Sequence, residues 1–252
     1  MHTDLMTFSD QLAHLNSVDA CLAHVQQATN RLGFKTLIYD YAPVPVSHEG
    51  ALITPSVFKT LNAPGDMYAQ WCERGYYQID PVQQCAARRT TPFAWSFSAD
   101  TGWNGALTEA HRPVAHYIRD CGLSTGLTVP LHLPDGGFAT LTAIIDGTPA
   151  DAEHHTRQNL GEMLVLAHAL QAQVTDLLAP AERDCTYIRL TRRERECLQH
   201  SAKGLTAKGI AATLHRSEAT VNLHLIAAAR KLGARNRVEA VVRGLHYRLV
   251  EV

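Results

Sequence analysis

Apolar residues return every three or four positions between residues 8 and 32, at Leu12, Leu15, Val18, Leu22 and Val25. That spacing predicts a helix, and Gly33 stands where a glycine ends one. The period then shortens to two. In FKTLIYDYA, Leu37, Tyr39 and Tyr41 share one face and Ile38 and Asp40 the other. This predicts a strand, closed by Pro43 and Pro45. The stretch APGDMYAQWCERGYYQIDPV, residues 63–82, reads as helical, and another helix is expected around 109–121 with Pro113 near its start or kinking it. STGLTVPLHL and FATLTAIID alternate again, and the PDGG between them predicts a hairpin. Residues 151–178 carry Leu160, Leu164, Ala167, Leu170, Val174 and Leu177 in helical step. Helices around a small, mainly antiparallel sheet give an α+β class, with an α/β/α sandwich over residues 1–178. Residues 179–189 lose the period, contain Pro180 and are expected to be a linker.

The pattern from residue 190 onward is all helical. Thr191 with Glu194 makes a capping box that starts a helix running to about Ala202. Thr206 is positioned to cap a second helix with Ile210, Ala211 and Leu214 inward. Ser217 is positioned to cap a third with Val221, Leu225, Ala228 and Leu232 on its buried stripe, ended by Gly233. Residues 237–249 form the fourth. Two short helices, a tight turn and a longer helix with basic residues at its end form a helix-turn-helix layout. The third helix then enters the major groove, with Glu218, Thr220, Asn222 and Leu223 toward base edges. Asn222 suits an adenine edge and Thr220 a thymine methyl. For Glu218, simple exposure or a favourable charge at a helix N-terminus is the stronger reading. Arg230, Lys231, Arg235 and Arg237 suit phosphates.

Charge sharpens this division. The chain has 252 residues and a net charge of −1. Residues 1–185 hold 10 Lys and Arg against 19 Asp and Glu, while residues 186–252 hold 13 against 5, so balances of −9 and +8 make up that −1. An acidic body with a basic tail assigns any polyanion to the tail. No apolar run approaches the roughly 20 residues of a membrane helix. The N-terminus has acids and no basic residue before its apolar block, unlike a secretory signal. Six scattered cysteines without a CxxC pair are expected to be reduced thiols in a cytoplasmic protein.

In the tail, LTRRERECL, IAATL, SEATV and ARKLGARNRVEAV resemble the C-terminal DNA-binding domain of the LuxR/FixJ class almost end to end. Gly209 departs from the Glu usual in that class, and Asn222 from the usual Lys. The body lacks the acid cluster and later Lys of a phosphorylated receiver. It resembles the autoinducer-binding domain of quorum-sensing LuxR proteins, through GYYQIDPV, Trp95 fifteen residues after Asp80, and STGLTVPLHL with its hairpin strand. The resemblance implies that Asp80 accepts from a ligand amide and Trp95 packs on a lactone ring. It implies that Gly126 lets backbone and ligand approach, and that Thr142 offers a hydroxyl.

Two positions depart from a lactone reader. Thirteen residues before Asp80 the family has a Trp that donates to the lactone carbonyl, and this chain has Met67. Nine before, the family has a Tyr lining the acyl channel, and this chain has Trp71. Methionine has no donor, which disfavours that ligand by about 1–3 kcal/mol, and the larger indole is expected to shorten the channel. The Met/Trp pair resembles the LuxR solos of plant-associated bacteria, which implies a small plant-derived, non-lactone signal; ethanolamine-type amides are one such class. Ile38 and Asp40 share the face that lines the pocket in relatives. Asp40 either meets a ligand amine beside Asp80 or ends its strand in water. Tyr76 and Tyr77 read as core or rim rings.

His111 with His116, and the adjacent His154 and His155, have no metal-ligand spacing. No GxSxG, P-loop or GxGxxG motif is present. The expectation is a ligand-responsive transcriptional regulator without enzyme activity or cofactor. It acts as a homodimer on an inverted-repeat site of double-stranded DNA. The alternatives are a true lactone receptor with a substitute donor, a ligand-independent regulator with a filled pocket, and an enzyme fused to a DNA-binding module.

Overall fold

The structure is a computed structural model that describes residues 5–98, 102–145 and 149–252. It divides into two compact units, Met1–Pro45 with Leu52–Arg183, and Val46–Ala51 with Asp184–Val252.

In chain order the first unit contains α1 (Leu5–Ala13), α2 (Val18–Arg31), β1 (Phe34–Ala42), β2 (Val57–Leu61), a π-helical turn (Ala69–Glu73), α3 (Tyr76–Ile79) and α4 (Pro81–Ala86). It continues with β3 (Phe93–Ser96), α5 (Gly102–Gly105), a 3-10 turn (Glu109–His111), α6 (Arg112–Asp120), β4 (Thr125–His132), β5 (Phe138–Ile145), α7 (Pro149–Leu177) and α8 (Pro180–Arg183). The strands make one antiparallel sheet in the order β2-β1-β5-β4-β3.

The period of two buries both faces of this sheet. Leu37, Tyr39 and Tyr41 of β1 join Leu127, Val129 and Leu131 of β4 and Ala139, Leu141, Ala143 and Ile145 of β5 in a core with α1, α2 and α7. The intervening residues face the other way in three cross-strand rows. Ile38 pairs Thr142, which pairs Thr128; Asp40 pairs Thr140; Trp95 pairs Gly126. Threonine suits a strand through its branched Cβ and still brings a hydroxyl inward.

Several sequence expectations change in detail. The first helical period is two helices, because Ser17 caps a new start by accepting from Ala20 N (3.2 Å). Residues 63–82 are not one helix. Gly75 takes φ 82° and Asp80 is extended before Pro81, so the stretch breaks into the π turn, α3 and α4. Two short strands, β2 and β3, add to the three expected. In the expected linker lies α8, whose Arg183 donates to the carbonyls of Thr175 (3.0 Å) and Leu178 (3.1 Å) at the end of α7. The expected strand end at Asp146 lies outside the described residues.

The second unit contains α9 (Arg192–Ala202), α10 (Ala207–Leu214), α11 (Glu218–Lys231) and α12 (Arg237–His246). Each start is capped from its own sequence. Thr191 and Glu194 form the reciprocal box, Thr206 accepts from Gly209 N, Ser217 from Thr220 N and Asn236 from Glu239 N. Val221, Leu225, Ala228 and Leu232 are buried, as their spacing predicts. The last helix stops at His246, three residues early, because Arg248 turns left-handed (φ 55°) and Leu249 N bonds back to Gly244 O (2.8 Å).

Candidate ligand cavity and nucleic-acid face

Beside the inner face of the sheet lies a cavity lined by Ile38, Trp71, Asp80, Val82, Gln83, Trp95, Phe97, Ile118 and Thr142. It offers about 20 Å³ to the centre of a water molecule, little more than one water needs. Asp80 is the hinge of its wall. It ends α3 and caps α4, its Oδ1 accepting from Val82 N (2.8 Å). Its Oδ2 accepts from Trp71 Nε1 (2.8 Å), and Trp71 sits in the π turn. Both oxygens are therefore engaged within the chain. Burial still pushes the Asp80 carboxyl up to about 6, against the lowering effect of these donors.

The opposite wall is a hydroxyl chain across the sheet. Trp95 Nε1 donates to Thr128 Oγ1 (2.9 Å), which shares a hydrogen bond with Thr142 Oγ1 (2.9 Å). Gly126 makes this possible. A Cβ there would stand 2.7 Å from Trp95 Cζ2 and 2.9 Å from Ala143 O, so its absence lets the indole lie on β4.

Next to the cavity is a second buried carboxyl. Asp40 is fully buried in mid-strand, between Phe58 and Thr140. Tyr77 Oη donates to its Oδ1 (2.9 Å), and Gln83 Nε2 (2.8 Å) and the Thr140 hydroxyl donate to its Oδ2. Burial outweighs these three donors and pushes the Asp40 carboxyl up to about 7. The reading of Asp40 as a strand end in water is thereby overturned, because β2 and β5 flank it on both sides.

In the helical unit, Glu218, Asn222 and Leu223 are exposed on α11, and Thr220 is half-buried with its hydroxyl on Ser217 Oγ (2.8 Å). Leu223 (67% exposed) and Ile226 (65%) leave apolar side chains on the same helix. An open groove of about 450 Å³ runs past Asn222, Ile226, Arg230, Arg235, Asn236 and Arg237. Two of the expected cations have partners within the unit. Lys231 Nζ sits 2.7 Å from Glu194 Oε2, and Arg237 donates to Ser201 Oγ and Leu205 O. Burial raises the Glu194 carboxyl, but Lys231 and the Thr191 N–H outweigh it and hold the group below its usual range. Arg235 is paired only loosely, 3.3 Å from Glu239. Arg230 has no acidic partner among the described residues.

Residues 17–174 match the autoinducer binding domain, and residues 189–243 match the bacterial regulatory proteins of the luxR family. The first match alone spans more than half of the chain. The chain belongs to the LuxR family of autoinducer-binding transcriptional regulators. Among relatives of this LuxR-family chain, the quorum sensing-dependent transcriptional regulator RpaR of Rhodopseudomonas palustris is 30% identical over 98% of this chain and 95% of its own. The transcriptional activator BjaR1 of Bradyrhizobium diazoefficiens is 26% identical over 98% and 96%. The structure of SdiA in complex with octanoyl-rac-glycerol shares the fold, with a TM-score of 0.60 and 20% identity over 100% of this chain and 99% of that one.

Within this LuxR-family fold, Asp80, Trp71, Trp95, Thr142 and Ile38 meet at the cavity. Met67 is fully buried without lining it, and Asp40 stands behind Gln83. Tyr76 packs edge-on against Trp71 (ring centroids 5.6 Å apart). Gly126 lies under the Trp95 indole, where a Cβ would not fit. Val82, Gln83, Phe97 and Ile118 were missed. Phe97 was signalled by the period of two from Trp95, and Gln83 by its place three residues after Asp80 at a helix start. Among the described residues no cluster of His, Cys, Asp or Glu is placed to hold a metal, and no helix is long and apolar enough to cross a membrane. The His154 side chain lies outside the described residues.

Proposed function

We propose that this regulator senses a small, non-lactone, plant-derived molecule in the cavity beside α4, and that binding favours a homodimer on an inverted-repeat DNA site. The observation that carries this reading is the 2.8 Å bond from Trp71 Nε1 to Asp80 Oδ2. A lactone's amide N–H would have to displace the indole from Asp80, while Met67 provides no donor for the lactone carbonyl. The inner hydroxyl wall of Thr128 and Thr142 suits a polar head smaller than a lactone. Population shift supplies the mechanism: a ligand that binds better to the DNA-competent arrangement raises its share.

On DNA, Asn222, Thr220, Leu223 and Glu218 face base edges, with Arg230 and Arg235 on phosphates. Lys231 braces α11 against α9 through Glu194 instead of serving a phosphate. Replacing Arg230 by Ala is expected to weaken binding evenly across sequences and lower the salt slope by about one.

The test of the sensor is thermal stabilisation of the full chain. The probes are 1-octanoyl-glycerol, which SdiA binds, N-(2-hydroxyethyl)octanamide and N-octanoyl-homoserine lactone. The first two are expected to stabilise the chain and the lactone to fall at least tenfold behind. The pair Met67→Trp with Trp71→Tyr is expected to reverse that order. Tight lactone binding by the unaltered chain would sink the proposal. It would favour the second reading, a lactone receptor like the quorum sensing-dependent RpaR, in which the Trp71 indole leaves Asp80 and supplies the missing donor.

A further inference from the structure

One residue lining the cavity carries a polar atom that its neighbours do not satisfy. Gln83 is 3% exposed and lines the cavity from α4. Its Nε2 donates to Asp40 Oδ2 (2.8 Å) and Thr140 Oγ1 (3.1 Å). The Thr140 hydroxyl gives its hydrogen to Asp40, so its oxygen is left to accept. Both neighbours thus present acceptors to the Gln83 amide. That fixes its nitrogen toward them and turns its oxygen away. This oxygen, Oε1, is buried and accepts from nothing among the described residues. By contrast, the Asp80 oxygens, the Trp71 and Trp95 indole nitrogens and the Thr142 hydroxyl all have partners.

A buried carbonyl oxygen without a donor is costly, and supplying one recovers the loss. The rest of the cavity offers Ile38, Val82, Phe97, Ile118 and aromatic faces, which favour an apolar body. Two buried carboxyls, Asp40 and Asp80, stand beside it, and a ligand anion there would meet like charge in a poorly screened place. We propose that Gln83 Oε1 is the specificity-determining acceptor of this receptor. Its ligands are uncharged molecules that present a hydroxyl or amide N–H to that oxygen, while Asp80 remains engaged by Trp71. This rests on the sensor reading above and narrows it to a head-group chemistry. With room for about one small polar group, the cavity admits a longer ligand only as a lining side chain turns aside.

The decisive comparison uses 1-octanoyl-glycerol and its 2,3-di-O-methyl ether, which keeps every acceptor and loses both donors. Affinities are measured by calorimetry on the full chain, on Gln83→Met and on Thr140→Val. The unaltered chain is expected to prefer the diol at least tenfold, and Gln83→Met to bring the two probes within about twofold. Thr140→Val likewise removes one donor to Asp40 Oδ2 but keeps Oε1, and is expected to retain the preference. Each preference is a ratio measured on one protein, so lost stability common to both probes cancels. If Gln83→Met does not fold, the unaltered chain labelled with 13C at glutamine Cδ gives the answer. The Gln83 carbonyl resonance is then expected to move with the diol and to stay with the ether. Equal binding of both probes by the unaltered chain would overturn the role of Gln83 and leave the sensor reading standing. A preference lost in Asp80→Asn but kept in Gln83→Met would do the same. Failure of the unaltered chain to bind either probe would overturn both together.

Discussion

The two faces of the five-stranded sheet are built from alternate residues of the same strands, yet they solve opposite problems. Toward α1, α2 and α7 the strands present Leu37, Tyr39, Leu127, Val129, Leu141 and Ala143, held chiefly by packing, with the Tyr39 hydroxyl donating to Gln171 Oε1 of α7 (2.8 Å). Toward α3, α4 and α6 they present Ile38, Asp40, Thr128, Thr140 and Thr142, just as buried but joined by hydrogen bonds. The first face derives its stability from removing apolar area from water. The second holds two carboxyls whose ionisation burial opposes, a pair of donated indole N–H groups and one acceptor without a donor. A face held by exchangeable hydrogen bonds can trade a partner for a ligand group, whereas a packed apolar face can only lose contacts. Under the proposed function, that difference puts sensing on one side of the sheet and stability on the other.

The largest expected effect separates neighbours on β5. Leu141→Ala opens a hole in the packed face and is expected to cost about 2–5 kcal/mol of stability, with the ratio of affinities between probes unchanged. All three tryptophans, Trp71, Trp95 and Trp103, lie in the first unit, so tryptophan fluorescence during urea unfolding follows that unit alone. A loss under 1 kcal/mol would mean that the two faces share the load and would break the contrast.

Acidity separates the faces next. The folded chain raises the Asp40 carboxyl from 3.8 to about 7 and the Asp80 carboxyl to about 6. The folded form therefore holds these protons more tightly than the unfolded chain. The stabilisation is fully present below about pH 4 and is lost as pH rises through 6 and 7. For Asp40 the loss is on the order of 4 kcal/mol, since each pKa unit is about 1.4 kcal/mol. Asp40→Asn is expected to flatten the stability of the first unit between pH 6 and 8, with only the Asp80 share remaining below. A slope unchanged in Asp40→Asn would show that Asp40 does not carry it.

How much of this was legible depends on how far apart the partners lie. The first three helices of the helical unit were readable to their N-caps, because Thr191 with Glu194 and Ser217 with Thr220 are three residues apart, whereas the Asn236 cap and the stop at His246 of α12 were not. Local spacing likewise gave the long α7 and the β4–β5 hairpin. The pocket face was not readable in the same way. Asp40 finds Tyr77, Gln83 and Thr140 at separations of 37, 43 and 100 residues, and only the sheet register brings them together. Lys231 meets Glu194 across 37 residues, so a charge that looked available in sequence is engaged in the fold. Strands β2 and β3, of five and four residues, are too short for their period to stand out. Trp71 was nearer to hand. Its bulk and its donor are both legible in the residue type, and Asp80, the acceptor of that donor, follows nine residues later.

That donor sets the smallest of the three effects and the sharpest test of the contrast. Trp71→Phe keeps an aromatic ring in the π turn and removes the N–H from Asp80 Oδ2. On a packed face such a change would cost stability alone. On a hydrogen-bonded face it also releases an acceptor. The variant is expected to lose about 1–3 kcal/mol, the cost of leaving a buried oxygen without its donor, read from the two remaining tryptophans. Asp80, its carboxyl already pushed up by burial, is expected to move further up, because the indole was the larger of the influences lowering it. Affinity for N-octanoyl-homoserine lactone is expected to rise, since its amide N–H finds the oxygen the indole held. If the variant loses stability and lactone binding does not rise, the Trp71–Asp80 bond is a brace for α4, and the discrimination against lactones lies in the shape of the wall that Trp71 and Ile118 make.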